Sequence, residues 1–217
     1  MITSLLLLFA ACISETLHYD LNFAGIPAGE STLSINMDKD LVLNSKTKTN
    51  KTFSKLLRYE ENIILTLDSI DFSTKKIQKR TRQGREKKSF LSIIDYNAAV
   101  DTSTAVSKNK TLKIKGKVYN PFGVVYFIRN QEITLNSSYN FKTYDNDRVR
   151  NLSVIANRIE NINVSIGEYS CFVLEPKDKL SKGSIRIWLD RVSKIPVQIE
   201  MKNKIGTLKM MLKKISP

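Results

Sequence analysis

One histidine, His18, and two cysteines, Cys12 and Cys171, are all that this 217-residue chain offers for the commonest nucleophilic and metal chemistries. A Ser-His-Asp or Cys-His arrangement has to use His18, and a zinc cluster of His and Cys needs four ligands where three exist. Glycoside hydrolysis asks only for two carboxylates. The pairs on offer, Asp145 with Asp147, Glu60 with Glu61, and Asp178 with Asp190, fall at turns or strand edges, where solvated acids are the ordinary occupants. Neither G-x-x-x-x-G-K-[ST] nor G-x-G-x-x-G, the runs that cradle phosphates, occurs. The chain is expected not to be an enzyme and to need no cofactor.

Charge says more. The formal net charge is +14, and eight of the fourteen residues 75–88 are basic: Lys75, Lys76, Lys79, Arg80, Arg82, Arg85, Lys87 and Lys88. Gln83-Gly84-Arg85 reads as a hairpin turn, which would crowd these charges on one protruding ribbon. Such a ribbon suits an anionic surface: phospholipid head groups, acidic glycolipids or an acidic protein partner. The plainer alternative is a lysine-rich composition that loads every exposed strand face. Nucleic acid has no motif in its favour.

The single tryptophan, Trp188, lies in Ile185-Arg186-Ile187-Trp188-Leu189-Asp190. Alternation puts Ile185, Ile187 and Leu189 on one face and Arg186, Trp188 and Asp190 on the other. An aromatic between two charges there could line a ligand groove or barrel mouth, or it could pack across a neighbouring strand.

These residues have to be positioned by strands. Period-2 alternation dominates: Leu17, Tyr19, Leu21 and Phe23 share one face, with His18, Asp20 and Asn22 on the other. A turn is expected at residues 25–29. Strand-like runs follow at roughly 31–37, 40–50, 56–72, 86–96, 110–118, 132–144, 148–164, 168–175, 184–190, 195–202 and 206–213. Many short strands with turn residues between them predict an all-β, mainly antiparallel fold, a meandering curved sheet forming a partial or closed barrel.

One segment differs. Asn120 followed by Pro121 is an N-cap and first-turn signal, and Phe122, Val125, Tyr126 and Arg129 recur at helical spacing up to Asn130. A short helix is predicted, packed on the sheet or plugging an open end; a wide buried strand is the other reading of so short an apolar run.

Residues 5–13 form an apolar stretch, about half of the roughly 20 residues a spanning helix needs. Residues 1–14 therefore read as an export signal, although no Lys or Arg precedes the stretch, and 15–217 as a single β-barrel-like domain. Two routes stay open, cleavage after Ser14 or acylation of Cys12 in the lipobox-like Leu8-Phe9-Ala10-Ala11-Cys12. Cys171 then has no intramolecular partner and is expected to be a small buried hydrophobe.

The order of features resembles the exported bacterial family catalogued as domain of unknown function 3108. The opening strand and turn are Tyr19-Asp20-Leu21-Asn22-Phe23-Ala24-Gly25-Ile26-Pro27-Ala28-Gly29. An apolar helix ending at Arg129 follows, although Asn120-Pro121-Phe122-Gly123 replaces the usual Asp-x-x-Ser start. The closing strands carry Ile166-Gly167-Glu168-Tyr169, Ile187-Trp188-Leu189-Asp190, Lys194-Ile195-Pro196-Val197 and Ile205-Gly206-Thr207-Leu208. The resemblance implies an envelope location and a β-barrel-like fold, without an established activity.

Two functions are therefore expected for a non-enzymatic protein of the periplasm or of an envelope membrane. One is a binding protein that holds an apolar or lipid-like ligand in the barrel interior. The other is an assembly factor that binds an envelope protein or polymer without a small ligand.

Overall fold

The computed structural model describes residues 14–37, 39–177, 185–203 and 206–217. The expected lipidation site Cys12 and Asp178 lie outside them. Eight strands come first: β1 Ser14–Phe23, β2 Ile26–Met37, β3 Leu41–Thr49, β4 Tyr59–Leu67, β5 Thr74–Gln83, β6 Glu86–Asn97, β7 Thr102–Ser107 and β8 Thr111–Lys115. Helix α1, Pro121–Arg129, separates them from β9 Ser138–Asp145, β10 Arg148–Val164, β11 Gly167–Pro176, β12 Ile185–Asp190, β13 Pro196–Asn203 and β14 Gly206–Ser216.

All fourteen strands form one antiparallel sheet ordered β8-β7-β6-β5-β4-β3-β2-β1-β14-β13-β12-β11-β10-β9. Two meanders are thus joined at the middle, where the first strand pairs with the last: Leu17 faces Ile215 and Leu21 faces Met210. The two outer strands, β8 and β9, are the ones the helical connection links. The sheet curls until these edges approach, but it does not close. Across the seam, Tyr119 beyond β8 bridges Thr143 of β9, while Thr102 and Gly116 extend the β7–β8 pairing on one side of it.

Alternation explains the core. Leu17, Tyr19 and Leu21 of β1, Leu33 and Ile35 of β2, Leu43 of β3, Leu65 of β4 and Ile77 of β5 are buried on the concave face. Tyr19 donates its hydroxyl to the Pro196 carbonyl at 2.8 Å, so this inward tyrosine carries no unpaired polar atom.

The helix forms as its capping residues dictate. The Asn120 side chain accepts from the Phe122 N–H, Pro121 occupies the first turn, and Asn130 ends the element. Val124, Val125 and Ile128 pack on Phe141, Val154, Ala156, Phe172, Leu174 and Leu189, while Tyr126 joins the main core. Arg129 meets Glu15 at the start of β1, Gly123 meets Phe72 in the β4–β5 turn, and Gln131 just beyond the helix accepts from Lys194 in the β12–β13 turn. Antiparallel pairing puts these three places at one end of the barrel, and α1 sits over that end.

Three expectations change. Residues 26–29 belong to β2; the turn is Ala24-Gly25, both at positive φ, as a two-residue hairpin requires. Gly29 is needed because a Cβ there would lie 2.1 Å from the Lys48 carbonyl oxygen of β3. Residues 130–137 are loop, with Asn136 in the left-handed region. Two strands fall outside the runs read from sequence, β5 and β7. Lysine on both faces of β5, and buried Ser103 on the core side of β7, mask the apolar alternation.

Candidate functional site

Pairing register decides which charges stand together. On β5 the pleat sends Ile77 and Lys79 inward and Lys76, Gln78, Arg80 and Arg82 outward. Arg80 lies opposite Ser89 and Asn62, Arg82 opposite Lys87 and Glu60, and Lys76 opposite Ile93. The rows continue onto β3, where Lys46 faces Asn62 and Lys48 faces Glu60. Lys46, Lys48, Lys76, Arg80, Arg82 and Lys87 therefore share the outer face of β3–β6. Among the described residues, none of the six has a carboxylate within 4.0 Å. The one acid between them, Glu60, is held by Arg58 at 2.9 Å, and the Arg58 hydrogen bond keeps its carboxyl below the usual glutamate value. A groove of about 540 Å³ runs over Lys46, Lys48, Arg80, Arg82 and Lys87.

The expected eight-residue ribbon forms as the β5–β6 hairpin. β4 flanks β5, whereas β7 pairs only with residues 92–97 of β6, so residues 86–91 have a strand neighbour on one side alone. Its charges are divided. Lys75 pairs with Asp68 at 3.0 Å, Lys88 with Glu86 at 2.9 Å, and Arg85 sits in the turn after Gly84. Lys79 points inward, 3.3 Å from both Glu61 and Asp145. Burial works against its charge, but the two carboxylates outweigh that and hold the ammonium above the ordinary lysine value. Sequence reading missed Lys46 and Lys48, which alternation in Ser45-Lys46-Thr47-Lys48-Thr49 puts on one face without saying what lies opposite.

The other half of the sheet treats charge differently. Glu160 pairs with Arg158 at 2.6 Å, Arg158 with Glu175 at 3.3 Å, and Glu175 with Arg186 at 3.4 Å. The chain continues through Glu200 at 3.8 Å to Lys209 at 3.7 Å. Three acids and three bases cancel there.

Arg186, Trp188 and Asp190 do not line an open groove. Trp188 is 4% exposed and Asp190 8%, because both faces of β11 and β12 are covered. Leu189 and Phe172 face α1, while Trp188, Cys171 and Val173 join the main core on the opposite side. Each of the three has its own partner. Arg186 belongs to the ion chain, the Trp188 indole donates to Glu160 Oε2 at 2.6 Å, and Asp190 Oδ2 accepts from Ser193 N–H and Oγ at 2.7 and 2.8 Å.

Of the helical residues, Val125 and Tyr126 are buried and Phe122 is partly so, while Arg129 makes a bidentate pair with Glu15. They fix the helix rather than face solvent. The interior between helix and sheet is occupied by side chains, with Leu17, Leu43, Leu65 and Tyr144 at zero exposure.

The remaining candidates for chemistry are dispersed. His18 contacts Ser216 Oγ at 3.0 Å on β1–β14, whereas Cys171 is on β11, four strand positions away. Burial pushes the Cys171 thiol up to about 12. Glu60 and Glu61 point to opposite faces. Asp145 binds Lys79, while Asp147 accepts from the Tyr144 hydroxyl at 2.9 Å. Among the described residues no cluster of His, Cys, Asp or Glu could hold a metal, and no helix is long and apolar enough to cross a membrane.

Comparison with known proteins agrees with this architecture. The family model described as "Protein of unknown function (DUF3108)" matches residues 18–213. No curated protein matches the chain. Among solved structures, the crystal structure of a beta-barrel-like protein of domain of unknown function DUF1849 from Brucella abortus superposes with a TM-score of 0.67. It covers 94% of this chain and 98% of that one at 13% sequence identity, a likeness of fold alone.

Proposed function

This chain belongs to the family of unknown function DUF3108, and we propose that it is a non-enzymatic accessory protein of the cell envelope, docking on an anionic surface through the outer face of β3–β6. One observation carries the reading. Six cations stand together on that face without a carboxylate within 4.0 Å, whereas on β10–β14 three acids and three bases pair with one another in a single chain. Unneutralised like charges on one side of a sheet repel each other and destabilise the isolated fold; an anionic partner relieves that and is steered to the face. The apolar N-terminal stretch supports placing this partner in the envelope. A ligand inside the barrel is not part of the proposal, because buried core side chains occupy the interior.

The test measures binding to phosphatidylglycerol-containing vesicles, to phosphatidylcholine vesicles and to immobilised heparin across a salt series. The full chain is compared with Arg80→Glu/Arg82→Glu and with Arg186→Ala. The N-terminal segment is common to all three and cancels. Salt-sensitive binding to anionic supports, lost in the first variant and kept in the second, is expected. Wild-type protein that ignores both anionic supports at low salt overturns the reading.

A second reading, an assembly factor that binds an extended segment of an envelope protein, is favoured by the seam. There, a groove of about 550 Å³ runs between Lys115, Tyr119, Phe141 and Leu152, where the β8 and β9 edges approach without pairing. Cross-linking from Lys115→Cys in envelopes separates the two, since a seam partner would be captured there and would survive loss of the cationic face.

A further inference from the structure

We infer that the anionic surface is a phospholipid bilayer, seated on the outer face of β5–β7 with Leu91, Ile93 and Val106 inserted among the lipids; this rests on the reading above. The three side chains are 50%, 57% and 47% exposed. Isolated exposed apolar residues are ordinary, but these are neighbours. Ile93 is directly opposite Val106, and Leu91 is two residues from Ile93 on the same face of β6. They form one contiguous apolar patch where the buried alternates Ser92 and Ile94 turn into the core.

The cations border this patch in register. Lys76 is opposite Ile93, Gln78 opposite Leu91, and Arg80 opposite Ser89, one step further along the same strands. On the far side of Val106, Lys113 stands opposite Thr104 on the same outer face. Lys76 and Arg80 on one side and Lys113 on the other flank the patch, with Asp95 the one acid beside it on β6. This excess of bases around apolar side chains fits a bilayer with anionic head groups, where the apolar centre enters the acyl boundary and the bases stay at phosphate level. A soluble polyanion would meet the charges and leave the apolar centre in water, gaining nothing from Leu91, Ile93 or Val106.

The experiment compares wild-type protein, Ile93→Ser/Val106→Ser and Arg80→Glu/Arg82→Glu on phosphatidylglycerol–phosphatidylcholine vesicles and on heparin. All of these positions are solvent-facing, and circular dichroism verifies folding. The apolar variant should lose vesicle affinity by about tenfold or more, the order expected from burying the exposed halves of two aliphatic side chains, while its heparin affinity stays unchanged. In a Cys12→Ser background, an environment-sensitive dye on Ile93→Cys should shift to the blue on anionic vesicles and stay unshifted on heparin.

Vesicle binding that is indifferent to Ile93→Ser/Val106→Ser, or a dye that stays in water, overturns the inference and leaves anionic docking intact. Failure of the wild type on both supports removes the docking reading itself.

Discussion

Arg129, at the last position of α1, donates from both terminal guanidinium nitrogens to the Glu15 carboxylate on β1, at 2.7 and 2.9 Å, joining residues 114 apart in sequence. The side chains are 11% and 20% exposed, and the Arg129 guanidinium also lies 4.7 Å over the Tyr126 ring. Burial opposes the Arg129 charge, but Glu15 more than restores it. The pair therefore decides how the helix is fastened over the barrel end.

Removing one member strands the other. Arg129→Ala is expected to cost about 3 kcal/mol in urea unfolding, because Glu15 would lose its bidentate partner in a largely desolvated site. Glu15→Gln/Arg129→Met should recover part of that loss. A single variant as stable as wild type would show that the helix is held by its apolar face alone.

Gly123→Ala sets two effects against each other. Alanine favours an α-helix by about 1 kcal/mol over glycine. The new Cβ, however, would sit 2.9 Å from the Phe72 carbonyl oxygen, in a turn where Phe72 itself has φ of 59°. Backbone cannot move as a side-chain tip can, so a net loss of about 1–2 kcal/mol is expected. A raised melting temperature would mean that the helix and the β4–β5 turn are not in close contact.

Acid should loosen the Trp188 neighbourhood. The Trp188 indole N–H, then Arg158, hold the Glu160 carboxyl below the ordinary glutamate value of 4.5. The unfolded chain thus binds a proton at higher pH than the folded one, and this contribution is present above about pH 4.5 and lost as pH falls through the folded value. Fluorescence of the only tryptophan reports it directly. Glu160→Gln should flatten that part of the pH–stability curve; an unchanged slope would assign the acid sensitivity to other carboxylates.

Cys171 should be chemically silent. Its thiol is buried and pushed up to about 12, chiefly by desolvation, so almost no thiolate exists at pH 8. In a Cys12→Ser background, native protein should resist iodoacetamide and react fully once unfolded in urea. Native labelling at the rate of an ordinary thiol would contradict its burial.

The sequence on its own determined the all-β class, most strand positions and the helix, because these depend on local periods of two and 3.6 and on the Asn120-Pro121 cap. It also identified residues 75–88 as basic and left Trp188 between groove and core. What it could not contain was pairing register. Only the folded sheet put Lys46 and Lys48 beside Arg80 and Arg82, turned Lys79 inward onto Glu61 and Asp145, and covered Trp188 from both sides. Those relations join residues as far apart as Lys79 and Asp145, 66 positions along the chain. A side chain's face follows from its own strand, but its neighbours follow from which strand lies alongside and in what register.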